Sequence, residues 1–130
     1  MNFENIKQFK DGFIECALWS SHDIVDGEER YLDEFVITDQ GHLYLEKMAS
    51  DWFKEHESLI NLFVEQTQTG YSQAGHTHWL SMNGHGSGWF DFNGEASELL
   101  NKIDVTSEVN MYVGDDGYVH VDGQENVSFA

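Results

Sequence analysis

Between residues 66 and 90 this chain carries no Asp, Glu, Lys or Arg, while the segments on either side are heavily acidic. Residues 1–65 hold 15 acids against 5 bases and residues 91–130 hold 9 against 1, so net charges of −10 and −8 flank a neutral centre. Like charge at this density repels itself, and any compact arrangement of the chain carries that cost. The material for a core is nevertheless present. Of the 130 residues, 40% are hydrophobic and 14% aromatic, unlike the aromatic-poor composition of a disordered acidic chain. That length suits one compact domain.

The sign of the charge argues against direct binding to nucleic acid or to an anionic membrane, because both depend on Lys and Arg neutralising phosphates. A basic partner is the natural complement. No run of about 18 apolar residues suggests a membrane span. The opening residues Met1-Asn2-Phe3-Glu4 lack the basic start and apolar stretch of a signal peptide, so a cytosolic location is expected. The single Cys16, among Phe13, Ile14, Ala17 and Leu18, reads as a buried thiol used as a small hydrophobe.

Phe3, Ile6, Phe9, Phe13, Ala17 and Leu18 recur every three or four residues and predict helix to about Trp19, with Asp11-Gly12 as a break. From Ser20 to Gln40 periodicity is lost and acids gather, and Leu32, Phe35 and Ile37 anchor what reads as a loop. After Asp39 as N-cap, Leu45, Met48, Trp52, Leu59 and Phe63 predict one long helix to about Gln66. Thr77, Trp79 and Ser81 alternate with His78 and Leu80 and precede a glycine cluster and Trp89-Phe90-Asp91-Phe92, which predicts a hairpin. A short helix follows from Glu95 to Ile103, with Asn93 as its cap. Val109–Val113, the turn Gly114-Asp115-Asp116-Gly117 and Tyr118–Val121 predict a second hairpin. Residues 1–130 are therefore expected to form a single acidic α+β domain, with helices packed on a small antiparallel sheet of about four strands in two hairpins.

The neutral centre holds the chain's most unusual local sequence, Ala74-Gly75-His76-Thr77-His78-Trp79 followed by Asn83-Gly84-His85-Gly86-Ser87-Gly88. On a strand His76 and His78 would point the same way, and His85 across a hairpin would complete a three-nitrogen zinc site. No His-Glu-x-x-His or Cys-x-x-Cys supports that reading, and no metal or cofactor is assigned. The alternate glycines do not fit a phosphate-binding fingerprint, and Ser87 lacks the glycine spacing of a nucleophile elbow. His76, Trp79, Asn83, His85 and Asp91 remain as the residues of a motif site, and no catalytic residue is assigned.

Duplex DNA carries one charge per about 1.7 Å of axis, roughly one per 110 Å² on a cylinder of about 10 Å radius. A folded chain of this mass exposes about 7,000 Å², so its mean charge density is about a quarter of that. Imitating nucleic acid therefore requires the acids to be gathered in one region. The residues expected to form such a surface are Asp23, Asp26, Glu28, Glu29, Asp33, Glu34 and Asp39, together with Glu46, Asp51 and Glu55 on the long helix.

The run from Ala74 to Asp91 resembles a segment found in a group of small acidic bacteriophage and prophage proteins, most of them without a known activity. Gly75, His76, Trp79, Leu80, Asn83, Gly84, His85, Gly86, Gly88 and Asp91 match that segment. His78 stands where those proteins have Phe, Met82 where they have Arg, and Trp89-Phe90 reverses their Phe-Trp order. Tyr112-Val113-Gly114-Asp115-Asp116-Gly117, Glu15-Cys16-Ala17-Leu18-Trp19-Ser20 and Leu32-Asp33-Glu34-Phe35 extend the resemblance over most of the chain. The resemblance implies a phage or mobile-element origin.

Combined with the charge, this leads to an expectation of a phage-encoded inhibitor acting in the cytoplasm of a host bacterial cell. It would be a monomer or homodimer that binds the basic surface of a nucleic-acid-binding defence protein, a CRISPR effector complex or a restriction enzyme, as an acidic mimic. The alternative is a ligand- or metal-binding domain, or a small enzyme, built on the Gly/His hairpin.

Overall fold

A computed structural model describes residues 2–127. Helix α1 spans Phe3–Ser20, and the Asn2 carboxamide caps it by accepting the Glu4 and Asn5 N–H groups at 3.0 and 3.3 Å. Of the predicted stripe, Ile6, Phe9, Phe13 and Ala17 are buried together with Ile14 and Cys16, Leu18 is partly buried, and Phe3 at the helix start is exposed. The expected break at Asp11-Gly12 is absent. Gly12 stays helical because the chain needs a close approach there: a Cβ on Gly12 would fall on the Ser72 carbonyl oxygen. A Cβ on Gly75 would likewise fall on the Phe9 carbonyl oxygen, so the two glycines let two helices cross backbone to backbone.

The segment expected as a loop folds into an antiparallel hairpin, β1 (His22–Val25) and β2 (Glu28–Tyr31), with Val25 opposite Glu28. Its turn residues Asp26 and Gly27 both have left-handed φ, +52° and +81°, the signature of a two-residue I′ turn. A 3-10 turn at Leu32–Glu34 follows and fully buries Leu32, one of the predicted anchors.

Helix α2 runs Asp39–Glu55 and is capped by Thr38, whose Oγ1 accepts the Gly41 N–H at 3.0 Å, one residue before the predicted cap. The long helix expected to reach Gln66 is broken at His56 (φ −123°, ψ 24°), and α3 spans Glu57–Thr67. Phe53, Ile60 and Phe63 keep helical spacing across the break, which is why periodicity does not reveal it.

The neutral centre forms helix α4, Tyr71–Met82, where a strand was expected. Its buried residues, Ala74, Gly75, Thr77, His78, Trp79 and Met82, recur at three- and four-residue spacing. The apparent alternation around Trp79 was local and lost to that longer period. The second expected strand is a 3-10 turn, Trp89–Asp91, so the predicted Gly/His hairpin does not exist.

Helix α5, Glu95–Ile103, appears as predicted. Gly94 rather than Asn93 sits at its N-cap, and Gln66 of α3 accepts the Ala96 N–H at 3.1 Å. The C-terminal hairpin also appears as predicted, as β3 (Met111–Val113) and β4 (Val119–Val121).

The class is α+β with four strands in two hairpins, but the hairpins are separate two-stranded sheets. They are joined indirectly. Val119 exchanges backbone hydrogen bonds with Val36 and Thr38 at 2.9 and 3.0 Å, and Asp23 of β1 accepts the Val113 N–H of β3 at 2.9 Å. The core gathers Phe9, Phe13, Phe53, Phe63, Trp79, Trp89, Leu45 and Leu100, all essentially inaccessible to solvent. Burying each such side chain contributes about 1.5–3 kcal/mol.

Candidate functional site

The acids that open the chain's first half are displayed on the β1–β2 hairpin and its continuation. Asp26, Glu28 and Glu29 are exposed at the turn and along β2, Asp33 on the 3-10 turn, and Asp39 on the first turn of α2. Asp26, Glu28, Asp33 and Asp39 have no cationic side chain within 4.0 Å among the described residues.

Of the other acids expected at this surface, Asp23, Glu34, Glu46 and Asp51 are engaged within the chain, whereas Glu29 and Glu55 stay exposed beside histidines. Asp23 ties β1 to β3, as above. Glu34 pairs with Arg30 at 2.8 Å and accepts the Tyr31 N–H at 3.0 Å; the Arg30 hydrogen bond, then the amide, hold its carboxyl below the usual range. Glu46 meets Lys10 at 3.3 Å and His42 at 2.9 Å, and Asp51 meets Lys47 at 2.6 Å. Glu29 lies 3.3 Å from His22, and Glu55 is exposed 3.9 Å from His56.

Four of the six Lys and Arg residues, Lys7, Lys10, Arg30 and Lys47, are thus spent on the chain's own carboxylates. Exposed pairs of this kind stabilise by only about 0–1 kcal/mol each. Their larger effect is to leave most of the 24 acids without a basic neighbour. The accessible surface is 7336 Å², about one net charge per 410 Å².

Beside the hairpin lies a pocket of about 470 Å³, lined by Trp19 and Ser20 from the end of α1, Tyr31, Asp33, Leu80, His85 and Ser87. Trp19 and Tyr31 are 59% and 56% exposed, so two aromatic surfaces and a carboxylate without a cationic partner share one concavity. Aromatic faces attract cations through their ring quadrupole, and a nearby carboxylate adds charge-assisted hydrogen bonding. The group that fits this chemistry is a guanidinium or ammonium.

The five motif residues do not converge. Trp79 is buried in the core, where its Nε1 donates to Ser20 Oγ at 3.0 Å and that hydroxyl donates to the Cys16 carbonyl at 2.7 Å. Asn83 brackets two segments: its Nδ2 donates to the Trp79 carbonyl at 2.9 Å and its Oδ1 accepts the Val109 N–H at 2.8 Å. Asp91 accepts the Gly88 N–H at 3.0 Å and braces its own turn. His76 sits half-buried 3.6 Å from Glu15, and exposed His85 belongs to the pocket above.

A two-residue spacing on a helix turns side chains about 200° apart, so His76 faces outward and His78 faces the core. That overturns the three-histidine arrangement. Among the described residues no group of three His, Cys, Asp or Glu side chains could hold a metal ion. Cys16 is fully buried, and burial pushes its thiol up to about 11 against a smaller opposing hydrogen bond from Ser20. It therefore stays protonated and is no nucleophile at neutral pH.

Sequence reasoning missed the chain's buried polar centre. His78 and Asp104 have side chains 2% exposed, with Nδ1 of the histidine 2.8 Å from Oδ2 of the acid. Nε1 of Trp89 donates to the same oxygen at 2.7 Å. The imidazole stacks on Trp52, ring centroids 3.8 Å apart, with Phe9 and Phe13 close by. The available signal was Ile103-Asp104-Val105, an acid set between two apolar β-branched residues immediately after a helix.

No helix of the described residues is long and apolar enough to cross a membrane. Comparison with family models, with curated proteins and with solved structures finds no match.

Proposed function

We propose that this protein is an acidic docking protein that occupies the basic surface of a nucleic-acid-binding partner. The reading extends to a phage-encoded inhibitor of a bacterial defence protein of that kind, such as a CRISPR effector complex or a restriction enzyme, acting in the host cytoplasm. The observation that carries it is the pocket where Trp19, Tyr31 and Asp33 meet at the open end of a hairpin whose turn end displays Asp26 and Glu28. An Arg or Lys side chain projecting from a nucleic-acid channel would find there both an aromatic face and a carboxylate. The field of a net charge of −18 would speed its approach.

The test uses the whole protein as bait in host-cell lysate at low and high salt, with duplex DNA as competitor. The expected result is a basic nucleic-acid-binding protein that is retained at low salt, shed at high salt and displaced by DNA. Retention should fail with Asp26→Lys/Glu28→Lys/Asp33→Lys. Recovery of no such protein, or retention indifferent to salt and to charge reversal, would overturn the reading.

A further inference from the structure

His78 and Asp104 both line a separate pocket of about 160 Å³, with Met48, Trp52, Met82 and Val105 as apolar walls and Ser107 as its one hydroxyl. His78 lines it while remaining 2% exposed, so very little of the imidazole reaches the opening. Nδ1 is engaged by Asp104; Nε2 has no hydrogen-bond partner among the described residues and is not fully sealed from solvent. A carboxylate is an acceptor only, so the proton of the Nδ1···Oδ2 contact sits on Nδ1. In the neutral imidazole Nε2 is then an acceptor lone pair, and Asp104 fixes both that tautomer and the plane of the ring.

From this geometry we propose that the pocket is a binding site for a small, ring-sized molecule bearing a single hydroxyl or N–H donor, such as a phenol. The volume is close to that of an apolar cavity of about 150 Å³ that accepts one benzene ring. The walls favour an apolar body, the exposed part of Trp52 offers a surface for stacking, and the donor completes the hydrogen bond that His78 lacks. The site stands apart from the acidic hairpin and does not depend on the docking function proposed above.

The experiment titrates phenol and toluene separately into the protein carrying ¹³C-methyl methionine and follows the Met48 and Met82 methyl signals. These ligands match in shape and differ in the donor. Phenol should bind saturably and about three- to ten-fold more tightly than toluene, the span expected of one net hydrogen bond. His78→Phe keeps an aromatic ring stacked on Trp52 and should erase that preference. Val105→Trp changes an exposed wall residue and should weaken both ligands together by filling the pocket. Equal affinities for phenol and toluene in the parent protein would overturn the proposal. So would a phenol preference that survives in His78→Phe, or binding untouched by Val105→Trp. Should His78→Phe not fold, the parent comparison and Val105→Trp decide the matter.

Discussion

Oδ2 of Asp104 takes the Nδ1 contact of His78 at 2.8 Å and the Nε1–H of Trp89 at 2.7 Å, so one buried oxygen joins α4 to the turn that follows its glycine loop. Removing the acceptor leaves both ring nitrogens buried and unpaired. Asp104→Ala is expected to lose about 2–5 kcal/mol, since each buried donor left unpaired costs about 1–3 kcal/mol. Urea denaturation checks it, and an unchanged midpoint would mean the centre does not hold the core. Asp104→Asn retains an acceptor and should cost less.

The crossing of α1 and α4 makes an opposite forecast from helix propensity. Alanine is favoured over glycine by about 1 kcal/mol inside a helix, yet Gly75→Ala would drive its methyl into the Phe9 carbonyl and Gly12→Ala into that of Ser72. Each is expected to lose about 2 kcal/mol net through overpacking against backbone that cannot rotate away. Thermal melts of the two variants provide the check, and a gain in stability from either would contradict the crossing geometry.

Those two glycines show where sequence reasoning succeeded and failed. The apolar stripe of α1 and the turn of the last hairpin were legible because each depends on neighbours a few residues away. Gly12 looked like a breaker and the helix that holds Gly75 was not read at all, because their partners, Ser72 and Phe9, are remote in sequence. The β1–β2 hairpin was obscured by its acids, although Asp26-Gly27 is a turn dipeptide of the same kind as the one read correctly at Asp116-Gly117. At the candidate site, Asp33 and His85 were legible as residues of interest, but their meeting with Trp19 and Tyr31 was not.

The turn of the second hairpin carries its own dependence on pH. Asp116 accepts the Tyr118 N–H at 3.0 Å and contacts His120, and the amide bond is the first cause holding its carboxyl below the ordinary value of 3.8. A lowered folded value means the stabilisation is present above the unfolded value and is lost as pH falls through the folded one. The Tyr118 amide signal should therefore titrate with a midpoint below 3.8. Asp116→Asn should remove that titration, and a midpoint at or above 3.8 would contradict the contact.

Self-repulsion predicts stabilisation by salt. Raising ionic strength from about 0.01 M to about 0.1 M shortens the screening length from about 30 Å to about 10 Å. For a net charge of −18 the melting temperature is expected to rise by about 4 °C, equivalent to about 1 kcal/mol. Calorimetry in NaCl and in KCl distinguishes screening from specific ion binding, since only screening acts alike in both. A fall with salt would mean the four Lys and Arg ion pairs outweigh the repulsion.

Cys16 offers a direct reading of burial. With its thiol pushed up to about 11 and its side chain inaccessible, native protein at pH 8 should resist iodoacetamide, and urea-unfolded protein should react fully. Intact mass measures both. Rapid labelling of the native chain would place the α1 face in solvent.

The crossing at Gly12 and Gly75 also sets an order of events during synthesis. About 60 residues separate Gly12 from Ser72, and at roughly 5–20 residues per second a ribosome needs several seconds to make them. Through that interval Phe9 and Phe13 stand without the helix that covers them. The nascent chain they belong to already carries a net charge of −10 over its first 65 residues. Repulsion of that size would oppose association between unfinished chains through the exposed stripe until the uncharged segment closes over it.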